Sequence, residues 1–290
     1  MIFFHPLYRE LYSDANLNRA WRAVRRHSEA PGLDAMTATH FEARAFILLK
    51  QLQDDLRRFQ YRPQPVKRIF MKREIGPPRP LGIPTFIDRI VQRALVQVLV
   101  PRFEPHFDEC SHAYRTGRSP QTAIAQAKDH GRNGRSWVAK LDLSDCFGNI
   151  PHRPLLRSVY RRVHDCAVRG LLQRMLKVEI VTVSNSGMRQ VSKPARGILQ
   201  GSPLSPLLAN IYLDAFDQAL RRLDLRFVRY GDDIAIFSST KQEAEAALAA
   251  ALRILESMHM PINREKTKLY HLGTGFKYLG EWLRWREGQK

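Results

Sequence analysis

The 290-residue chain carries 47 Lys and Arg against 28 Asp and Glu, a formal charge of +19 spread over pairs such as Arg57-Arg58, Lys67-Arg68, Arg161-Arg162 and Arg221-Arg222. Such an excess favours a polyanionic partner, because neutralising phosphates supplies affinity without sequence preference, and 44% apolar residues provide material for a core in two subdomains. Cys110, Cys146 and Cys166 lack metal-ligand spacing, Met1-Ile2-Phe3-Phe4 is too short for a signal peptide, and no apolar run approaches ~18 residues; a disulfide scaffold, secretion and a membrane span are thereby disfavoured, and a reducing cytoplasm is expected.

Residues 1 to 60 read as helices. Leu17 to Arg26 shows apolar spacing of three and four, as does Phe41 to Phe59, which begins near the candidate N-caps Thr37 and Thr39. The Pro-rich stretch Tyr61 to Pro65 breaks the helix. Val66 to Met71 then reads as a strand, and Ile75-Gly76-Pro77-Pro78 as the turn of a basic hairpin. Phe86 to Val100 is helical and expected to stop at Pro101. Trp137 to Leu143 is a weakly alternating apolar run, a buried strand ending near Asp142. Arg226 to Arg229 and Ile234 to Phe237 are strands on either side of Tyr230-Gly231-Asp232-Asp233, and Thr240 to Met258 is an amphipathic helix. His5, His106 and His112 are scattered and read as surface or core fillers. Strands and helices are intermixed, so the class is α+β.

Two adjacent carboxylates at the tip of a tight hairpin make a hard oxygen site for Mg²⁺, although Gly and Asp also suit a solvated turn. A carboxylate at Asp142, within a buried strand, is costly unless it is paired or binds a metal. Lys140 and Arg229 are its candidate partners. On neighbouring strands, Asp142 and Asp232 could together hold two Mg²⁺ ions about 3.5–4 Å apart, the arrangement used for in-line phosphoryl transfer.

A third segment makes a resemblance plain. Gly197-Ile198-Leu199-Gln200-Gly201-Ser202-Pro203-Leu204-Ser205-Pro206-Leu207-Leu208-Ala209-Asn210 resembles the QGxxxSPLLAN block of reverse transcriptases, and Tyr230-Gly231-Asp232-Asp233 resembles their YxDD box. Bacterial enzymes of the group II intron type, including the CRISPR-associated branch, are closest in pattern. Arg79 to Thr85 with Asp88-Arg89 and Gln92, Ser111 to Ser119, Asn263 to Lys268, Phe276 to Gly280 and the short Pro31-Gly32-Leu33-Asp34 resemble further blocks of that group, in order over roughly residues 31 to 280.

The resemblance implies the fingers and palm of a right-hand polymerase, with an antiparallel palm sheet packed on helices. It places a helical N-terminal extension at 1–60, fingers at 61–95 with a second segment at 150–198, and palm at 96–149 and 199–290. It implies an RNA-directed DNA polymerase acting on an RNA template, a DNA or RNA primer and dNTPs. Asp142, Asp232 and Asp233 would be the catalytic acids holding two Mg²⁺ (Mn²⁺ as a substitute), with the Leu143 carbonyl as an extra ligand. Phe147, five residues beyond Asp142, would be the aromatic gate that collides with a ribose 2′-hydroxyl. Arg79 would grip the triphosphate, with a second cation from Lys72 or Arg73. Gln200 and Gly201 would lie near the incoming nucleotide and template, and Lys266 matches a lysine proposed as general acid for pyrophosphate. Arg115, Gly117 and Arg118 would meet the template backbone.

Departures matter too. Leu199 stands where the family usually has Pro, and Gly231 where many bacterial members have Ala. A Gly-Asp-Asp core also occurs in viral RNA-dependent RNA polymerases, but Phe147 favours DNA synthesis. An RNA-dependent RNA polymerase, and a non-catalytic RNA-binding scaffold of a mobile-element or CRISPR complex, are the alternatives. Only ten residues follow Gly280, so the thumb is expected from a protein partner or a fused domain.

Overall fold

The structure, a computed structural model, describes residues 5–26, 30–72, 78–183 and 188–284. The chain divides into two compact units, Met1–Pro105 with Pro151–Leu208, and His106–Ile150 with Ala209–Lys290. Helices α1 (Pro6–Leu11), α2 (Asp14–Arg25), α3 (Ala38–Glu42) and α4 (Ala45–Arg57) precede strands β1 (Val66–Met71) and β2 (Arg79–Ile83) and helix α5 (Phe86–Phe103). Next come α6 (Pro120–Arg132), β3 (Trp137–Asp142), α7 (Cys146–Asn149), α8 (His152–Tyr160), α9 (Cys166–Leu176), β4 (Ile180–Val183) and β5 (Arg189–Ser192). They are followed by α10 (Ser205–Arg222), β6 (Arg226–Tyr230), β7 (Asp233–Ser238), α11 (Lys241–Ser257), β8 (Lys268–His271), β9 (Phe276–Tyr278) and β10 (Glu281–Leu283). No helix among the described residues is long and apolar enough to cross a membrane.

In the first unit, α2 starts where the Ser13 hydroxyl accepts the Asn16 N–H, one of the donors a helix start leaves unpaired. Its buried Leu17, Ala20, Trp21 and Val24 recur at helical spacing and form one face. Trp21 closes on Phe41 of α3 and Phe86 of α5, with ring centroids 4.7 and 5.5 Å apart, which ties three helices together. Two helix expectations need correction. Phe41 to Phe59 is not one helix: Thr37 caps α3, Thr39 lies inside it, and the chain restarts at Arg44, the N-cap of α4 at φ −128°. Helix α5 does not stop at Pro101. Proline already has a helical φ and forfeits one hydrogen bond, and the Glu104 N–H still reaches the Val100 carbonyl. The sheet of this unit runs β2-β1-β4-β5, with β1–β2 and β4–β5 antiparallel and β1–β4 parallel. Of the expected hairpin turn, Ile75, Gly76 and Pro77 lie outside the described residues.

In the second unit, the order β6-β7-β3-β8 is antiparallel throughout. Because side chains alternate across a strand, Val138, Val228, Ala235 and Phe237 share a face. They form a buried cluster with Ala123, Ile124 and Ala127 of α6 and with Phe276, Tyr278 and Leu283 of the β9–β10 ribbon. Burying a Val or Phe side chain contributes roughly 1.5–3 kcal/mol, so this face anchors the sheet whose opposite end carries the acids. Helix α11 begins in a capping box, Thr240 with Glu243, and packs on β3 and β7 through buried Ala244, Ala247, Ala251 and Leu255. Helices and strands are intermixed through both units, the α+β class expected.

Candidate active site

The hairpin loop is two residues long. Tyr230 pairs with Asp233, leaving Gly231 and Asp232 as the turn. Gly231 has φ +66° while Asp232 is not in the left-handed region, which is the pattern of a turn with Gly at its first central position. A Cβ at Gly231 would meet the Tyr114 ring at an ordinary 3.7 Å, so backbone conformation rather than space calls for glycine there.

Register brings the acids together. Asp142 of β3 is the direct partner of Asp233 of β7, and such partners hold their Cβ atoms about 4.5–5.5 Å apart. Asp232 sits in the adjoining turn, exposed. Two cations face this end: Lys140 Nζ lies 3.6 Å from Asp233 Oδ2 and Lys266 Nζ lies 3.7 Å from Asp142 Oδ2. The other carboxylate oxygen of Asp233, Oδ1, is buried and has no hydrogen-bond partner. Burial, reinforced by the charges of Asp232 and Asp142 and opposed by Lys140, pushes the Asp233 carboxyl up to about 6. The strand end itself is pinned, since the Asn263 N–H donates to the Asp142 carbonyl at 2.9 Å and Leu143 bridges to Ile262.

Arg229, one residue before the Tyr-Gly-Asp-Asp stretch, pairs with neither Asp142 nor any residue of the acid group. It is fully buried, at 0% exposure, against Asp217 of α10, also at 0%. Its Nε and Nη2 donate to the two Asp217 oxygens, Nη2 also to the Ser111 hydroxyl, and Nη1 to Asn210 Oδ1 and the Gly231 carbonyl. All five guanidinium N–H groups are thus used. Asn210 Nδ2 in turn donates to the Ala113 carbonyl at 2.8 Å. The network clamps the turn carrying Asp232 to α10 and to the 111–113 segment. Sequence reasoning missed it. The available signals were a charged residue inside an apolar strand, and Asn210 and Asp217 seven apart on one helix face.

The other expected residues fall as follows. In the second unit, Phe147 is buried in α7, edge-on to Tyr114 with centroids 6.4 Å apart. Arg115 donates to the carbonyls of Asp108 and Ser111 at 2.6 and 2.8 Å, and Arg118 donates to the Glu109 carbonyl, so both guanidiniums brace their own loop. Gly117 has φ +75° and open space around it. In the first unit, Lys72 is exposed just past β1, and Arg73 lies outside the described residues. Arg79 Nε donates to Gln200 Oε1, joining two predicted residues 121 positions apart. Gly201, at φ +100°, approaches β2: a Cβ there would lie 2.5 Å from the Gly82 carbonyl oxygen. The close approach that demands glycine is thus to the chain's own backbone.

Three carboxylates, one of them with a buried oxygen that has no hydrogen-bond partner, are the donor type suited to a hard divalent cation. Among the described residues, however, no three His, Cys, Asp or Glu side chains gather tightly enough to cage a metal ion. The acids share one sheet end, each of two paired with a lysine.

Comparison with known proteins identifies the family. Protein YkfC of Escherichia coli (strain K12) is 32% identical over 295 residues, spanning 88% of this chain and 76% of YkfC. The group II intron-encoded protein LtrA of Lactococcus lactis subsp. cremoris is 35% identical over 182 residues, 62% of this chain but 29% of LtrA. Among solved structures, a chain of the partial Cas6-RT-Cas1--Cas2 complex superposes with a TM-score of 0.51 at 24% identity, covering 85% of this chain and 40% of that one. Telomerase from Candida albicans, in complex with a TWJ fragment of telomeric RNA, superposes at 0.60 with 12% identity, over 86% and 49%. These two share the fold. The family profile described as reverse transcriptase (RNA-dependent DNA polymerase) matches residues 70–283, which include the paired acids, their turn and the Arg229 clamp, and the chain belongs to that family.

Proposed function

We propose that the chain is an RNA-directed DNA polymerase that extends a primer 3′ end with deoxynucleotides on an RNA template. The observation that carries this is the pairing of Asp142 with Asp233 beside Asp232, with one Asp233 oxygen buried and unpartnered. Negative charge concentrated in this way is matched to a cationic ligand. Asp142, Asp232, Asp233 and the Leu143 carbonyl would hold two Mg²⁺, or Mn²⁺ in their place. When bound, such ions activate the primer hydroxyl and neutralise the leaving pyrophosphate.

The chain's own residues supply the rest. Lys266, beside Asp142, holds a proton at Nζ for the departing pyrophosphate. Phe147 keeps a ring where a ribose 2′-hydroxyl would need space, so deoxynucleotides are preferred. In the first unit, Arg79 presents a planar guanidinium suited to phosphate, oriented by Gln200; Lys72 or Arg73 is the second cation, and Gln200 and Gly201 serve the incoming nucleotide and template. Arg115, Gly117 and Arg118 shape a basic loop for the template backbone. A protein partner is also expected, as a similar chain occurs in the Cas6-RT-Cas1--Cas2 complex.

Primer extension on an RNA template with Mg²⁺ tests this, comparing dNTPs with rNTPs and the natural chain with Asp232→Ala. DNA product from dNTPs alone, lost on substitution, is the expected result. RNA product would reassign the chain to RNA synthesis. Extension that survives Asp232→Ala would remove the acids from the chemistry.

A further inference from the structure

The first unit holds a basic pocket that no step of the proposed polymerisation uses. It measures about 470 Å³ and is lined by the C-terminal end of α9, the Pro-rich segment leading into β1 and Lys193 just past β5. Arg62, Arg174, Lys177 and Lys193 line it, against a single acid, Glu179. That acid is already matched, its carboxylate 3.1 Å from Lys193 Nζ. Three cations therefore remain in excess.

Their geometry is specific. Arg62 is held through one nitrogen, Nη1, which donates to the carbonyls of Phe59 and Tyr61 at 2.7 and 2.9 Å. Arg174 Nε is buried and has no hydrogen-bond partner. Basic residues in the last turn of a helix complement its dipole, which accounts for the presence of Arg174 and Lys177. It does not account for a buried donor left without an acceptor, which native proteins rarely tolerate. Nor does it explain why Arg62 and Lys193 converge there from two other segments.

A guanidinium fork matches the oxygens of a phosphate, and an ammonium adds a point charge beside it. Gln173 also lines the pocket, and Pro63, Pro65 and Val178 add apolar surface, suited to the carbons of a sugar rather than to a bare ion. We propose that this pocket binds a ribose phosphate, carried either in a nucleic-acid strand or in a free nucleotide. The proposal stands apart from the catalytic assignment, since neither measurement below requires polymerisation.

The test uses the full chain. A fluorescein-labelled 20-nucleotide RNA is titrated by anisotropy across a KCl series, and melting is recorded with AMP and with adenosine. For a strand, Arg174→Gln/Lys177→Gln should weaken binding roughly tenfold and reduce the slope of log K against log[KCl] by about 1.4, two contacts at about 0.7 each. The control Arg9→Gln/Arg22→Gln, two exposed cations of α1 and α2, should leave that slope unchanged. For a nucleotide, AMP but not adenosine should raise the melting temperature of the natural chain and not that of the variant. Lys177→Gln alone, a change at an exposed position, repeats the comparison should the arginine variant unfold. An effect of the pocket variants on either probe supports the site and identifies the phosphate source. Equal losses in pocket and control variants, or no response to either probe, would overturn it.

Discussion

Replacing Arg229 with Met tests whether the buried clamp holds the catalytic turn or merely holds the fold. The substitution leaves the Asp217 carboxylate at 0% exposure without its counter-charge, and breaking a buried pair in this way costs about 3–5 kcal/mol. Asn210, Ser111 and the Gly231 carbonyl each lose a donor as well. The double variant Asp217→Leu/Arg229→Met removes both charges. Apolar replacements of buried ion pairs are often neutral or better, so stability should recover by about 2 kcal/mol or more over the single variant. The Gly231 carbonyl stays unclamped in both. A displacement of about 1 Å at a reacting group can cost on the order of 100-fold in rate, so single-turnover primer extension should stay depressed in the double variant. Urea unfolding and single-turnover extension are measured side by side. Recovery of both stability and rate in the double variant would refute a positioning role, and a single-variant loss below about 1 kcal/mol would refute the buried pair as an anchor.

Asp233→Asn addresses the raised carboxyl. Its folded pKa, about 6 against an ordinary 3.8, lies above the unfolded one, so the folded state takes up a proton between those values. Stability therefore falls as pH rises through that window, and the penalty is complete above it. At 1.36 kcal/mol per pH unit, Asn should stabilise the protein at neutral pH by up to about 3 kcal/mol and by nothing in acid, while extension activity falls; a stability gain that ignores pH would argue against the charge cluster. Gly201→Ala places a Cβ 2.5 Å from the Gly82 carbonyl oxygen at φ +100° and should cost about 1–3 kcal/mol in thermal unfolding. An unchanged melt would mean that the loop does not approach β2 in solution. Phe147→Val should raise ribonucleotide use relative to deoxynucleotide use by roughly 10- to 100-fold; unchanged discrimination would leave Phe147 as core alone.

Much of the second unit was legible from local chemistry. The period-two apolar runs around Asp142 and around the Tyr230–Asp233 stretch marked strands, the Gly-Asp turn joined two of them, and the Thr240–Glu243 pair marked the start of α11. These signals act over a few residues, through dihedral preference and side-chain alternation. Pairing over long distances was not legible in that way. That Asp142 faces Asp233, that Lys140 and Lys266 divide between the two acids, and that Arg229 turns to Asp217 instead of Asp142 all depend on strand register and on which helix covers which face. The same holds where local rules misled: Pro101 sits within α5, and the helix expected from Phe41 breaks at Arg44. By itself the sequence determined the acids, the hairpin that carries one of them and the family. Tertiary structure decided their partners, because a buried charge or a crowded backbone takes whichever neighbour packing supplies.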